Sequence, residues 1–348
     1  MKNSQVAVIA GAILLSAIGI VTSQMVFFKN LEKLVLSKES HTGKERSKKI
    51  VVAMMPKTKT DPYFVSCQKG AKEAAAEFNI DLIWDGPTKA DPAKQNELVE
   101  AWITKGVDVI AASVENREAI SSVLKKARNR GIKVITWDAD STEKARDFFV
   151  NQATSEGIGN KLADESAKLI NATGEYIILS ASTTAANQNE WIEYINKRIL
   201  EKYPKMVNKG IRYSDGDRDK AMTETRNIIA SMPNIKVIIA IAAPALPGAA
   251  EALKQLNRKD IKLTGLSVPS LCKNYVKSGL IDNFILWNTV DLGYITVLAS
   301  RYASEGKLTS QSHQLGFGRL GDIKIIDNNV MLGEPFLFDA SNIDQFNF

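Results

Sequence analysis

Residues 137–140 (Trp-Asp-Ala-Asp) place an aromatic ring beside two carboxylates, directly after the mostly apolar run 132–136. The run is typical of a buried parallel strand, and ligands of open α/β sheets bind beyond the carboxyl ends of such strands. A carboxylate there accepts hydrogen bonds from hydroxyl groups, and an aromatic ring covers the C–H face of a sugar ring. The pattern predicts a cleft for a polyhydroxylated ligand. The alternative is that Asp138 caps a turn and Trp137 packs in the core.

Sequence motifs of catalysis are absent. There is no phosphate-binding loop, no nucleophile elbow and no His-Glu-x-x-His motif. Asp138 and Asp140 are two apart on an extended strand, so their side chains point to opposite faces and do not share a substrate atom. Two histidines and two cysteines without a Cys-x-x-Cys pair indicate neither a zinc nor a redox site. The sequence therefore predicts a protein without enzymatic activity, metal or cofactor, in which Cys67 and Cys272 are packed thiols rather than a disulfide.

The positive charge of the chain is concentrated at its N-terminal end. Residues 1–50 carry eight basic and three acidic side chains, whereas the remainder carries 37 basic and 36 acidic ones. A nucleic-acid-binding face needs a concentrated basic surface on the folded body. The nearly neutral body therefore argues against a nucleic-acid partner.

Strand and helix patterns alternate from Ile50 onward. Asp61-Pro62 and Asp91-Pro92 each predict a capped helix start, and Gly106 predicts a helix end. Strands separated by helices of about 10–15 residues are typical of parallel sheets built from right-handed βαβ units. A second series begins near Phe149, and single cores stop growing at roughly 250–300 residues. The 348 residues therefore predict an α/β protein with two doubly wound lobes.

Residues 1–28 are predicted to be a signal peptide or an uncleaved membrane anchor. Residues 3–28 contain no charged side chain, and about 20 apolar residues cross a bilayer. Small residues before Gln24 are compatible with cleavage, whereas the apolar character that continues to Phe28 favours an anchor, a hydrophobic helix. Residues 29–48 read as a polar linker.

The body resembles the type I periplasmic binding proteins, the sugar-binding class that serves ABC importers, and most of all the subgroup of autoinducer-2 and rhamnose receptors. The matching runs are Met55-Pro56-Lys57, Trp84-Asp85-Gly86-Pro87-Thr88, Ile135-Thr136-Trp137-Asp138, Asn187-Gln188-Asn189-Glu190-Trp191, Ala245-Leu246-Pro247-Gly248-Ala249-Ala250 and Leu286-Trp287-Asn288. The resemblance implies two lobes joined by a three-strand hinge, with crossings near residues 150–153, 286–290 and 312–316. The implied N-terminal lobe comprises residues 49–150 plus 288–314, and the C-terminal lobe residues 151–287 plus 315–348.

The same resemblance implies a set of ligand-binding residues between the lobes. These are Lys57, the aromatic pair Tyr63 and Phe64, Asp138, Asn187, Gln188, Ile241, Ala243, and the hinge residues Trp287 and Asn288. Two positions depart from the autoinducer-2 receptors, which carry an acid in place of Asn187 and a proline in place of Ile241. A neutral hydrogen bond in place of a charge-assisted one weakens binding by roughly tenfold, enough to change which hydroxyl pattern is preferred.

The resemblance implies an extracytoplasmic, monomeric substrate-binding protein of an ABC importer. Its ligand would be a small sugar or an autoinducer-2-like molecule, and its partners the ABC permease subunits, with contact to the membrane through residues 1–28. The alternative is a membrane-tethered sugar sensor that signals to a histidine kinase or chemoreceptor.

Overall fold

The computed structural model of the protein describes residues 49–348. The predicted signal peptide or membrane anchor (1–28) and the predicted linker (29–48) lie outside the described residues. Among the residues that are described, no helix is both long and apolar enough to cross a membrane. Ile50–Phe348 form one compact unit in which strands and helices alternate.

The described part of the chain contains fourteen strands and nine α-helices. The strands are β1 (Val51–Met55), β2 (Asp81–Trp84), β3 (Val109–Ala112), β4 (Lys133–Trp137), β5 (Phe148–Asn151), β6 (Gly174–Ser180), β7 (Met206–Tyr213), β8 (Ile235–Ala240), β9 (Lys262–Gly265), β10 (Phe284–Leu286), β11 (Gln314–Gly316), β12 (Asp322–Ile326), β13 (Asn329–Met331) and β14 (Phe336–Phe338). The helices are α1 (Pro62–Glu77), α2 (Pro92–Lys105), α3 (Arg117–Asn129), α4 (Ser155–Leu169), α5 (Ala186–Lys202), α6 (Arg218–Ser231), α7 (Ala245–Gln255), α8 (Pro269–Lys277) and α9 (Thr289–Ser304).

Two sheets form the centre of the molecule, the first parallel from β13 to β2 with an antiparallel edge, and the second parallel throughout. The first sheet has the strand order β11-β12-β13-β5-β4-β3-β1-β2, and the second has the order β7-β6-β8-β9. In each sheet the chain starts at an inner strand, adds one neighbour on one side and then continues on the other. Ligands of such sheets bind at this reversal, beyond the carboxyl ends of the strands. The topology therefore directs attention to the ends of β1 and β3 in the first sheet and of β6 and β8 in the second.

The helix starts follow the cap signals of the sequence. Asp61 and Asp91 accept hydrogen bonds from the backbone N–H groups of Tyr63 and Lys94, so both predicted N-caps are confirmed. Gly106 ends α2 in the left-handed conformation, with φ of 70°. Because these caps satisfy the free backbone groups of the helix ends, they determine where each strand gives way to its helix.

Strand pairing near the C-terminus differs from the boundary expected from the sequence. The resemblance implies that residues 315–348 belong to the second lobe. In the structure, however, β12 pairs with β13, and β13 pairs in parallel with β5 of the first sheet. Asp327 and Asn328 have φ of 48° and 61°, the positive values that a tight two-residue hairpin turn requires. This hairpin extends the first sheet. Of the strands after residue 315, β14 alone lies outside the first sheet, where it pairs with β10. The chain therefore leaves the first sheet after Met331, rather than at 312–316.

Helices α1 and α9 pack with their backbones in direct contact. A Cβ atom built on Gly70 would lie 1.7 Å from the carbonyl oxygen of Val290, and one on Gly293 would lie 1.8 Å from that of Cys67. Both glycines are therefore required for the close approach of the two helices. Cys67 and the distant Cys272 are buried free thiols, as the sequence predicts.

Candidate ligand-binding site

A cavity lies beyond the carboxyl ends of β1, β3, β4, β6 and β8. Its volume is about 620 Å³, including the part that is open to solvent. The lining residues that follow strands of the first sheet include Lys57, Asp61, Tyr63, Phe64, Glu115 and Asp138. The lining residues that follow strands of the second sheet include Asn187, Gln188, Trp191, Ile241 and Ala243, and Trp287 follows β10. Both sheets thus contribute side chains to one space.

Asp138 is one of two buried carboxyl groups among the described residues of the cavity, with 4% of its surface exposed, and the other is Glu115 with 3%. It follows β4 with φ of 62°, a left-handed conformation that aspartate adopts more readily than most residues. One carboxylate oxygen accepts the hydroxyl of Tyr63 at 2.9 Å, and the other accepts that of Ser113 at 2.7 Å. Burial raises the pKa of this carboxyl, while the charge of Lys57 and the two hydroxyl groups oppose that rise. The remaining lone pairs are available to the hydroxyl groups of a ligand.

Lys57 connects the two sides of the cavity. Its Nζ donates to Oδ1 of Asn187 at 2.7 Å and lies 3.9 Å from Oε2 of Glu115. Glu115 also accepts hydrogen bonds from the hydroxyls of Ser182, at 2.6 Å, and Thr184, at 3.2 Å. Lys57 and Glu115, which follow strands of the first sheet, therefore bond to three residues that follow β6 in the second sheet, namely Asn187, Ser182 and Thr184. These bonds hold the two walls of the cavity together.

Gln188 is held by the end of β6. Its Oε1 accepts the hydroxyl of Ser180 at 2.7 Å and the backbone N–H of Ala181 at 2.8 Å. These two bonds occupy the amide oxygen, so the N–H groups of the amide are the donors that remain for a ligand.

An aromatic wall closes one side of the cavity. Nε1 of Trp287 donates to the hydroxyl of Tyr63 at 2.9 Å, and that hydroxyl donates its own proton to Asp138. The ring centroids of Trp287 and Trp191 are 6.1 Å apart at an interplanar angle of 69°. Phe64 packs edge-on against Tyr63, with centroids 4.9 Å apart. Because the phenol proton of Tyr63 is engaged by Asp138, this residue orients the carboxylate and offers a ligand no donor of its own.

The structure brings nine of the ten predicted ligand-binding residues to this cavity. They are Lys57, Tyr63, Phe64, Asp138, Asn187, Gln188, Ile241, Ala243 and Trp287. Asn288 is the exception, because its side-chain oxygen accepts the N–H groups of Val290 and Asp291 and caps α9. Its predicted ligand contact is therefore replaced by a role at the helix start.

Trp137 and Asp140, which belong to the same Trp-Asp-Ala-Asp run as Asp138, do not line the cavity. Trp137 is fully buried, donates to the carbonyl oxygen of Ala111 at 3.3 Å, and packs against Phe64. The expectation that its ring covers a ligand is therefore wrong, and the aromatic wall comes from Trp287 and Trp191 instead. Asp140 is bound by the guanidinium of Arg146 at 2.9 to 3.1 Å and does not line the cavity.

Sequence reasoning missed three carboxyl groups of the cavity, those of Asp61, Glu115 and Asp215. Glu115 follows β3 as Asp138 follows β4, so its position after a buried strand is the signal that could have found it. Asp61 was interpreted only as a helix cap, although a cap at the carboxyl end of β1 faces the same crevice. Asp215 follows β7 in the second sheet. Among residues 49–348, no group of three or more His, Cys, Asp or Glu side chains is arranged to hold a metal ion.

Asp61 combines a cap with a partly exposed place in the cavity wall. Its Oδ1 accepts the N–H of Tyr63 at 2.9 Å, and within residues 49–348 its other oxygen makes no hydrogen bond. Loss of solvent around the carboxyl raises its pKa to about 6, and the charge of Asp138 adds to that rise, whereas Lys57 opposes it. The protein therefore keeps a carboxylate where its charge costs stability.

Asp61→Asn is expected to raise the free energy of unfolding at pH 7.5. The folded-state pKa of about 6 lies above the ordinary value of 3.8, so the folded protein binds the proton more tightly. The cost of the charge is complete above the folded pKa and vanishes as the pH falls below the ordinary value. We expect a gain of about 1–3 kcal/mol at pH 7.5, because each unit of pKa corresponds to about 1.4 kcal/mol.

Urea unfolding at pH 7.5 and pH 4 measures this gain, most of which should be lost at the lower pH, which is just above the ordinary pKa of 3.8. Asparagine preserves the helix cap, so the effect reports the charge. Asp91→Asn is the matched control, since it is the same cap before a proline at a position outside the cavity. A variant at Asp61 with unchanged stability at pH 7.5 would contradict the raised pKa.

The fold and the cavity together define a class of protein. Parallel sheets with a cavity at the carboxyl ends of their strands match the type I periplasmic binding proteins, whose members are extracytoplasmic. The chain belongs to the family described as "Periplasmic binding protein domain", whose sequence profile matches residues 52–308.

Known relatives are transport proteins for several sugars. The ribose import binding protein of Salmonella typhimurium is 23% identical over 239 residues, which cover 66% of this chain and 77% of that protein. An ABC transporter solute-binding protein from Clostridium phytofermentas with bound L-rhamnose is 29% identical, with a TM-score of 0.82, over 86% of this chain and 98% of that one. LsrB from Clostridium saccharobutylicum in complex with AI-2 is 24% identical with a TM-score of 0.81, over 86% of this chain and 100% of that one, and supports the fold alone.

The first two of these relatives are named as an import binding protein and an ABC transporter solute-binding protein, which fits the prediction of a protein that binds a substrate without catalysis. Their ligands differ from one another, so the autoinducer-2 and rhamnose subgroup is one of several that this chain is similar to.

Proposed function

We propose that this protein is the extracytoplasmic substrate-binding component of an ABC importer and binds a small sugar or a sugar-like polyol in the cavity. The observation that carries the proposal is Asp138, a buried carboxylate that is oriented by two hydroxyl groups and lines the cavity at the strand ends. A buried carboxylate is costly unless its hydrogen-bonding capacity is used. Hydroxyl groups of a sugar are donors that would use it.

The proposed ligand contacts follow from the bonds that the cavity residues already make. Asp138 accepts from hydroxyl groups, and the amide N–H groups of Gln188 and the ammonium of Lys57 donate to ligand oxygens. Trp287 and Trp191 offer apolar surface to the C–H face of a sugar ring. An autoinducer-2-like molecule presents the same donors and acceptors on a smaller frame.

Closure around the ligand is the proposed mechanism. The cavity walls are joined by the Lys57–Asn187 bond, and outside the cavity Arg117 binds Glu190 at 2.5 Å. A ligand that contacts both walls stabilises the arrangement in which these bonds form, and it shifts an open–closed equilibrium of the two predicted lobes. The closed form is then what the permease subunits recognise.

We propose a monomeric protein whose partners are the ligand and the ABC permease, with a membrane attachment through residues 1–28 if that segment is an uncleaved anchor. The alternative of a sugar sensor depends on the same segment, which lies outside the described residues.

A thermal-shift screen of monosaccharides and autoinducer-2, followed by calorimetry and small-angle scattering, tests the proposal. A sugar at about 100 times its Kd adds about 2.7 kcal/mol of stability, which raises Tm by about 5 °C for a protein of this size. The radius of gyration should fall on addition of the same sugar. A screen without any stabilising sugar, or binding without compaction, would count against the importer role.

A further inference from the structure

The cavity is lined by an excess of negative charge. Among the described residues that line it, one ammonium group, that of Lys57, faces the carboxylates of Asp61, Glu115, Asp138 and Asp215. The nearest of these to Lys57 is Glu115, whose carboxylate oxygen lies 3.9 Å from the ammonium nitrogen. The single positive charge of the cavity wall is therefore already matched by one of the four negative charges.

Of the three remaining carboxylates, Asp215 has a cationic partner among the described residues, whereas Asp61 and Asp138 have none. Asp215 forms an ion pair with Lys220 at the surface. Asp138 is bound by two neutral hydroxyl groups and Asp61 by one backbone N–H, and neither forms an ion pair with any residue of the described chain. The cavity thus holds two carboxylates that form no ion pair within residues 49–348, although the charge of Lys57 acts on both of them from a longer distance.

Asp61 is the better placed of the two to meet a charged substituent. It lines the cavity and also the wider space at the cavity mouth, which measures about 1430 Å³ including open solvent. The other charged residues of this mouth are Lys89, Glu115, Asp215, Asp217, Arg218 and Lys220. Arg218 donates to the hydroxyl of Tyr275, and Lys220 pairs with Asp215. A ligand group beside Asp61 would reach solvent through the mouth while its ring stays against the aromatic wall.

We propose, building on the function proposed above, that the ligand carries a protonated amino group, as an amino sugar does, and that Asp61 binds this group. A charge-assisted hydrogen bond to the free oxygen of Asp61 would compensate a carboxylate that the protein leaves without a cation. A neutral hydroxyl group at the same position also donates to the carboxylate, but it brings no opposite charge and therefore binds more weakly. Sugar phosphates and sugar acids would be repelled by the excess of carboxylates.

Matched pairs of sugars test this proposal by calorimetry on the intact protein at pH 7.5. The pairs are D-glucosamine with D-glucose, D-galactosamine with D-galactose, and D-mannosamine with D-mannose. In at least one pair, the amino sugar should bind about tenfold more tightly than its hydroxyl counterpart, because its ammonium group adds the attraction of an opposite charge to the hydrogen bond.

Asp61→Asn should abolish the preference for the amino sugar, because it lowers the affinity for the amino sugar more than the affinity for the neutral partner. Asp91→Asn should retain the preference, because it changes the same kind of helix cap outside the cavity. Lowering the pH from 7.5 to 5 should reduce the preference in the native protein, because the pKa of Asp61 is raised to about 6. Lys57, Glu115, Asp138 and Asp215 face the same space, so the pH effect is assigned to Asp61 only if the Asp61→Asn variant lacks it.

Equal binding of the two members of every pair would overturn the inference, as would a preference that survives in Asp61→Asn. Neutral sugars that bind and that depend on Asp138 would leave the proposed function intact in that case. Absence of binding by all six sugars also overturns the inference, whereas the proposed function is then decided by the wider thermal-shift screen.

Discussion

Asp138→Asn is expected to lower the affinity for the sugar by about 10- to 150-fold, because a hydrogen bond to a charged group contributes about 1.5–3 kcal/mol. Asparagine has one acceptor oxygen where the carboxylate has two. With both Tyr63 and Ser113 as donors to this side chain, no equivalent lone pairs remain for the ligand. Asp138→Ala removes the group altogether and should abolish binding that calorimetry can measure.

The control for this experiment is Asp327→Asn. Asp327 also has a left-handed backbone, with φ of 48°, but it lies at the exposed hairpin turn between β12 and β13, outside the cavity. The Asp327→Asn protein should bind sugar with the affinity of the native protein. The Asp138→Asn protein should fold with at least native stability at pH 7.5, since burial penalises the charge of Asp138 and raises its pKa. A folded Asp138→Asn variant with native affinity would contradict the assigned site.

Gly70→Ala is expected to destabilise the protein by about 2–4 kcal/mol, which exceeds the gain of up to about 1 kcal/mol that alanine brings to a helix interior. The added methyl group would lie 1.7 Å from the carbonyl oxygen of Val290. That atom belongs to the backbone of α9 and cannot rotate away as a side chain would. The two helices must therefore separate, and the buried surface between them loses contact.

Chemical unfolding of Gly70→Ala and of Lys69→Ala measures this effect. Lys69 is the exposed neighbour of Gly70 on the same helix, and surface changes of this kind stay within about 0.5 kcal/mol. Stability of Gly70→Ala within that range would show that α1 and α9 do not approach as closely as the structure has them.

The local elements of this fold could be predicted because their signals lie within a few residues of one another. The caps at Asp61 and Asp91 and the helix end at Gly106 are of this kind. The acidic position after β4 was also recognised, since ligands bind beyond the ends of parallel strands. The pairing of β13 with β5, in contrast, depends on strands that are far apart in the chain.

The amino-acid sequence by itself determined the alternation of strands and helices, the binding-protein class and most of the polar residues of the cavity. Tertiary structure alone decided which of these residues meet and which tryptophan forms the wall. Trp137 and Asp138 are adjacent, yet the strand turns the indole into the core and the carboxylate into the cavity. Lys57 meets Asn187 across 130 residues, and Tyr63 meets Trp287 across 224. Periodicity and caps act over a few residues, whereas such contacts arise only when two sheets bring distant strand ends together.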